Sequence, residues 1–108
     1  EVPRDQPVVA DEVFGPVAVL SVYDDYEQAL DQVNDSRYGL QAGVISRDMG
    51  KIRRAWEALE VGGVIAGDVP TWRADVMPYG GVKDSGIGRE GPAWAYRKMT
   101  EERLLVVR

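Results

Sequence analysis

The sequence predicts an α/β fold: a βαβαβ, three-layer-type parallel-sheet fragment with a long Gly-rich loop, a C-terminal helix and a terminal strand. Three observations carry that prediction. Short β-branched, apolar runs alternate with stretches of helical period; the helical stretches open on Asp; and a strand, helix, strand, helix, strand order favours parallel crossovers over hairpins.

Residues 1–16 read as an extended, proline-punctuated lead. It closes at Gly15-Pro16, where proline fixes its own φ and biases Gly15 away from helix. Residues 17–23 are apolar and β-branched enough for a buried strand. Asp24-Asp25 then offers a helix cap with Glu27 or Gln28 three residues on, and Tyr26, Ala29, Leu30 and Val33 form one apolar stripe. Asn34-Asp35-Ser36 and Gly39 end that helix. Residues 42–46 make a second strand, and Asp48 caps a second helix with the stripe Ile52, Ala55, Trp56 and Leu59. Gly62-Gly63 stops it before a third strand at residues 64–66. Residues 67–91 form a loop carrying eight Gly or Pro residues, a length that is usually functional or disordered. Pro92 suits the first turn of a third helix with Tyr96 and Met99 on one face. The apolar run at residues 104–107 is a terminal strand whose exposed edge calls for another sheet, in a second subunit.

Composition narrows the chemistry. A chain of 108 residues is one domain at most, and 44% hydrophobic with 29% charged residues argues against disorder. Eighteen acidic against thirteen basic residues argues against nucleic acid, whose phosphates are bound by Lys and Arg. No apolar run approaches the ~20 residues of a membrane helix, and the first five residues lack the basic-then-apolar order of a signal peptide, so a soluble, cytoplasmic protein is expected. A start at Glu1 rather than Met suggests an excised or processed piece. The absence of Cys and His excludes thiolate nucleophiles, imidazole bases and metal sites built on either, and no metal is expected.

Gly86-Ile87-Gly88-Arg89-Glu90-Gly91 formally matches a dinucleotide fingerprint, but no strand precedes it and no acidic residue stands about 20 positions on. A loop needing close backbone approach explains these glycines better, with Lys83 and Arg89 either binding an anion or capping neighbouring elements. The adjacent carboxylates Asp24-Asp25 and Glu101-Glu102 point apart, so a cap and a solvated face account for them. Glu12 and Phe14 are more informative. Two apart in an extended segment, they project from the same side, placing a carboxylate that accepts two ribose hydroxyls beside a ring that packs on a flat heterocycle. A core Phe and a surface Glu is the plainer alternative.

Glu12-Val13-Phe14-Gly15-Pro16, together with Pro78-Tyr79-Gly80-Gly81-Val82-Lys83-Asp84-Ser85-Gly86-Ile87-Gly88-Arg89-Glu90, resembles the C-terminal part of an aldehyde dehydrogenase. Tyr38-Gly39-Leu40, Ala42-Gly43-Val44, Gly62-Gly63-Val64 and Thr100-Glu101 agree in order, so the resemblance covers nearly the whole chain. It implies that Glu12 binds the nicotinamide ribose hydroxyls, that Phe14 packs beside the nicotinamide, and that Tyr79, Gly80, Gly81 and Ser85 support the active site by packing. It implies residues 1–99 as part of the catalytic domain and residues 100–108 as an oligomerisation strand. NAD or NADP is the implied cofactor of a full-length parent that oxidises an aldehyde through a Cys nucleophile. That Cys is missing here, so the chain alone is expected to be inactive. Gly67 stands where relatives commonly carry Asn, which removes a side-chain hydrogen bond from the site. In the loop at residues 68–77, Arg73 is either a lure for an anionic substrate or an ordinary surface arginine. The competing reading is a stand-alone, non-catalytic binding or assembly module of the same fold.

Overall fold

The computed structural model describes residues 2–108. Both Asp caps form. Asp25 Oδ1 accepts from the Gln28 amide at 2.8 Å at the start of helix α2 (Tyr26–Asn34), and Asp48 Oδ1 accepts from Gly50 at 2.8 Å at the start of α3 (Met49–Ala58). Each bond satisfies an amide that the helix itself leaves open. A single turn, α1 (Pro7–Ala10), precedes them in the lead that was expected to be extended throughout, with Pro7 in the first position, where its missing N–H costs nothing.

Strands β2 (Gln41–Val44) and β3 (Gly63–Ala66) pair in parallel with Ala42 opposite Val64, and α3 is the crossover between them. Leu30 of α2 and Ala55 of α3, with Leu59 just past its end, are the buried apolar residues, packed by half-buried Tyr26, Ala42, Val44, Ala58, Val61 and Val64. The stripes meet at Tyr26, Leu30, Ala55 and Leu59, whereas Val33 and Trp56, expected in the same stripes, turn out to solvent. Asn34 ties the two helix ends together: its Nδ2 donates to Ala58 O and its Oδ1 accepts from Glu60 N, both at 2.8 Å.

Two expected strands are absent. Residues 17–23 and 104–107 are in no sheet, and Leu20 and Val22 in the first and Leu104 in the second lie almost wholly in solvent. The physical reason is pairing: an extended apolar run becomes a strand only when a neighbour takes its amides and carbonyls, and none does so among the described residues. The predicted three-stranded parallel sheet is accordingly one βαβ unit, β2-α3-β3. The long loop, in contrast, is structured. Its β4 (Val82–Lys83) pairs antiparallel with β1 (Tyr38–Gly39), and Tyr79 bridges Glu90 ahead of α4 (Pro92–Met99). Among the described residues the result is a mixed α/β fragment with four helices and two small two-stranded sheets.

Its radius of gyration of 18.0 Å compares with about 13 Å for a compact chain of this length. Its accessible surface is 9087 Å², half again the roughly 5,900 Å² of a folded monomer of this mass. The two unpaired apolar arms contribute to the excess, with Leu20, Val22, Leu104, Leu105 and Val107 each at least 84% exposed.

Candidate functional site

The Gly-rich strap after β3 is built from close backbone contacts. Tyr79 and Glu90 exchange both amide bonds, at 3.2 and 2.6 Å, and fold residues 79–90 back on themselves. Gly81 is buried, and a Cβ there would stand 2.5 Å from Ser85 Cβ; at Gly62 a Cβ would collide with Gly80 O. Both positions require glycine, Gly62 because backbone meets backbone and Gly81 because Ser85 Cβ and its carbonyl fill the space. Ser85 Oγ accepts from Gly39 N at 2.9 Å, and Arg89 Nη1 donates to Gly81 O at 2.8 Å. Tyr79, Gly80, Gly81 and Ser85 are thus gathered into one pinned turn against β1.

Lys83 holds the strap to the helices. It is the single non-glycine residue with positive φ among those described, at 53°. From there Nζ donates to Asn34 O at 2.7 Å and Ser36 O at 3.1 Å and pairs with Glu60 at 2.8 Å. An ammonium at the carbonyl end of α2 also meets the favourable end of the helix dipole. Of the two roles open to Lys83 in the sequence, this is the capping of a neighbouring element; the two-headed clamp of Asn34 was missed. A polar residue at a helix end was the available signal for Asn34.

Gly67 lies just beyond β3, where its amide donates to Val44 O at 2.9 Å. With φ of 80° and no atom within 4 Å of an added Cβ, it borders an open cleft of about 430 Å³ lined by Val64, Ile65, Ala66, Gly67, Asp68 and Trp72. The carboxyl end of parallel strands is the usual ligand position in α/β sheets. Arg73 follows Trp72. Its guanidinium lies over the Tyr79 ring, 4.3 Å from the centroid, and Nη2 donates to Glu90 at 3.2 Å.

Glu12 and Phe14 stand apart from this cleft. Their segment bends on two three-residue turns, Gly15 N to Val13 O at 2.7 Å and Val17 N to Gly15 O at 2.8 Å, and both side chains are exposed, Phe14 at 94%. A carboxylate that accepts from hydroxyls and an exposed ring face are the kinds of group that suit a nicotinamide riboside, so the chemistry of these residues fits the group.

The displaced titrations mark latches. A hydrogen bond from Arg54 holds the Glu27 carboxyl below its ordinary range and ties α2 to α3, and Asp84 raises Arg37 by the same kind of bond. Among the described residues, no group of three His, Cys, Asp or Glu side chains is placed to hold a metal, and no helix is long and apolar enough to cross a membrane.

The model of the aldehyde dehydrogenase family matches residues 1–105. 3-Sulfolactaldehyde dehydrogenase of Priestia aryabhattai is 48% identical over 103 residues, covering 95% of this chain and 22% of its own length. Aldehyde dehydrogenase 21 of Physcomitrella patens, solved with the reaction product succinate, superposes with a TM-score of 0.95 at 45% identity, over 100% of this chain and 22% of that one. Two further solved relatives hold a cofactor. A point mutant of Staphylococcus aureus betaine aldehyde dehydrogenase holds NAD+ (TM-score 0.83, 35% identity, 90% and 20% covered), and Methanocaldococcus jannaschii glyceraldehyde-3-phosphate dehydrogenase holds NADP (0.65, 42%, 68% and 16%). The chain spans about a fifth of the length of the relatives it matches.

Proposed function

The chain belongs to the aldehyde dehydrogenase family, and from that premise we propose that it is a C-terminal part of an NAD(P)+-dependent enzyme oxidising a small aldehyde to its acid. Residues 1–99 are then a portion of the catalytic domain, and residues 100–108 an oligomerisation strand. The observation that supports this best is the superposition of the whole chain on part of a solved aldehyde dehydrogenase with a TM-score of 0.95 at 45% identity; the exposed Glu12 and Phe14 and the pinned strap at residues 78–90 are consistent with it.

In this reading Glu12 accepts hydrogen bonds from the two hydroxyls of the nicotinamide ribose, and Phe14 packs on the nicotinamide ring. NAD(P)+, when bound, takes the hydride released from the aldehyde carbon. Tyr79, Gly80, Gly81 and Ser85 hold the strap rigid behind the cleft, and Gly67 leaves open the space that a larger residue would occupy. The chain has no cysteine, so its residues bind and position while the nucleophile comes from the remainder of the enzyme.

The test compares the full-length protein with this chain alone, following reduced nicotinamide with a panel of small aldehydes. Turnover is expected only from the full-length protein. Oxidation by the isolated chain, or none by the full-length protein with NAD+ and NADP+, overturns the proposal.

A further inference from the structure

We infer that Arg37 is a positioning residue that sets the Glu12 carboxylate by tying its segment, through Asp11, to the strap. The inference rests on the functional reading above, in which Glu12 holds the nicotinamide ribose, and deepens it. Arg37 lies between α2 and β1, and the strap fixes its place. Its carbonyl accepts from the Asp84 amide at 3.0 Å, and its Nε donates to Asp84 Oδ2 at 2.6 Å, so backbone and side chain both fasten it to one residue. The guanidinium also lies 5.5 Å from the centroid of the Tyr38 ring in β1, the strand whose Gly39 amide donates to Ser85.

From that base Nη1 faces Asp11 Oδ1 at 3.7 Å. Asp11 is the neighbour of Glu12. Among the described residues, this is the one hydrogen bond or ion pair from residues 11–16 to any part of the chain beyond residue 17. Arg4 and Asp35, at 2.9 Å, hold the lead ahead of α1, and Arg37 holds it behind. Glu12 and Phe14 themselves stand in solvent, so the direct relation between their segment and the strap is this pair. The guanidinium suits the task because Nε serves Asp84 while Nη1 serves Asp11, a span that the single ammonium of lysine does not reproduce. Without the cation two carboxylates remain, and nothing draws the lead toward the strap. A carboxylate out of place costs rate, because hydride transfer needs the reacting carbons held in contact.

The rival role is a clip in which Arg37 only fastens β1 to the strap through Asp84. The two roles separate through Glu12. In the full-length protein, kcat/KM for the cofactor that the wild type uses, the isotope effect of a deuterated aldehyde and the melting temperature are measured for Arg37→Gln, Asp11→Asn and Asp84→Asn. Each is made alone and in the Glu12→Gln background. We expect all three to lower kcat/KM about two- to fivefold, the effect of one exposed charge pair, and to raise the isotope effect. Asp11→Asn does so with an unchanged melting temperature, and its loss shrinks in about 0.5 M KCl, where an exposed pair is screened. In the Glu12→Gln background none of the three lowers kcat/KM further. A clip instead gives losses in Arg37→Gln and Asp84→Asn with none in Asp11→Asn. That pattern, or losses as large in the Glu12→Gln background as outside it, overturns the role of Arg37 while leaving the dehydrogenase reading intact. Absence of turnover in the wild type removes both.

Discussion

At Gly67 the backbone adopts φ of 80° with no atom within 4 Å of where a side chain would start. Asn is among the few residues that enter this region readily, so Gly67→Asn in the full-length protein should be tolerated, with a melting temperature within a few degrees of wild type. A large loss of folding would show that the position is more crowded than its geometry. Asn34 is the opposite case. Its amide makes two bonds of 2.8 Å that join the ends of α2 and α3, and Asn34→Ala leaves Ala58 O and Glu60 N without them. A destabilisation of about 1–3 kcal/mol is expected from urea midpoints, and an unchanged midpoint would mean that water replaces the amide freely. At Glu12 the carboxylate is free of the fold, so Glu12→Gln should leave stability unchanged and slow hydride transfer in the parent. Unchanged kinetics, read with a deuterated aldehyde, would remove Glu12 from the cofactor site. Glu12, Phe14, Tyr79, Gly80, Gly81 and Ser85 were all legible in the sequence as candidates because their motifs are local. The clamp of Asn34 was not, and for Lys83 a capping role was legible but not the helix it caps, since their partners are distant in sequence and chosen by packing.

The helices and their caps follow from local rules, and both Asp caps form as expected. Between α2 and α3 the fit depends on few groups, so the Glu27 and Arg54 pair has a measurable pH signature. The folded-state value of Glu27 is lowered, first by the Arg54 hydrogen bond. Its contribution to stability is therefore complete above the unfolded carboxyl value, about 4.5, and is lost as pH falls through the lower folded value. Stability against pH should show a shallower acid limb in Glu27→Gln than in wild type, and superimposable acid limbs would show that the pair is solvent-screened to nothing. The strands behave differently. β2 and β3 form because α3 returns the chain beside itself, whereas residues 17–23, with stronger strand propensity, stay unpaired. Propensity states what a segment suits, and pairing states whether it forms.

At the scale of the molecule, the buried apolar set is small for the surface exposed. Leu20, Val22, Leu104, Leu105 and Val107 are each at least 84% exposed, on two arms of a particle 71 Å long. Apolar surface of this extent drives association. The isolated chain should sediment as a dimer or larger assembly at high concentration, and replacing Leu104 and Leu105 with Lys should shift it toward monomer. A monomer at every concentration would show that the arms fold back on their own chain in solution.

Periodicity, caps and glycine spacing determined by themselves the helices at 26–34 and 49–58 and the parallel crossover between β2 and β3, while the family entered through the resemblance of two motifs. These are properties of contiguous residues and need only the local rules of helix, turn and strand. Tertiary structure alone decided which apolar runs became strands, that the Gly-rich stretch is a pinned strap, and that Lys83, Asn34 and the Arg73, Tyr79 and Glu90 cluster hold it. The bonds from Lys83 to Asn34, from Glu60 to Asn34 and from Arg73 to Glu90 join residues 49, 26 and 17 positions apart. A single sequence states what each segment prefers but not which segment it will meet.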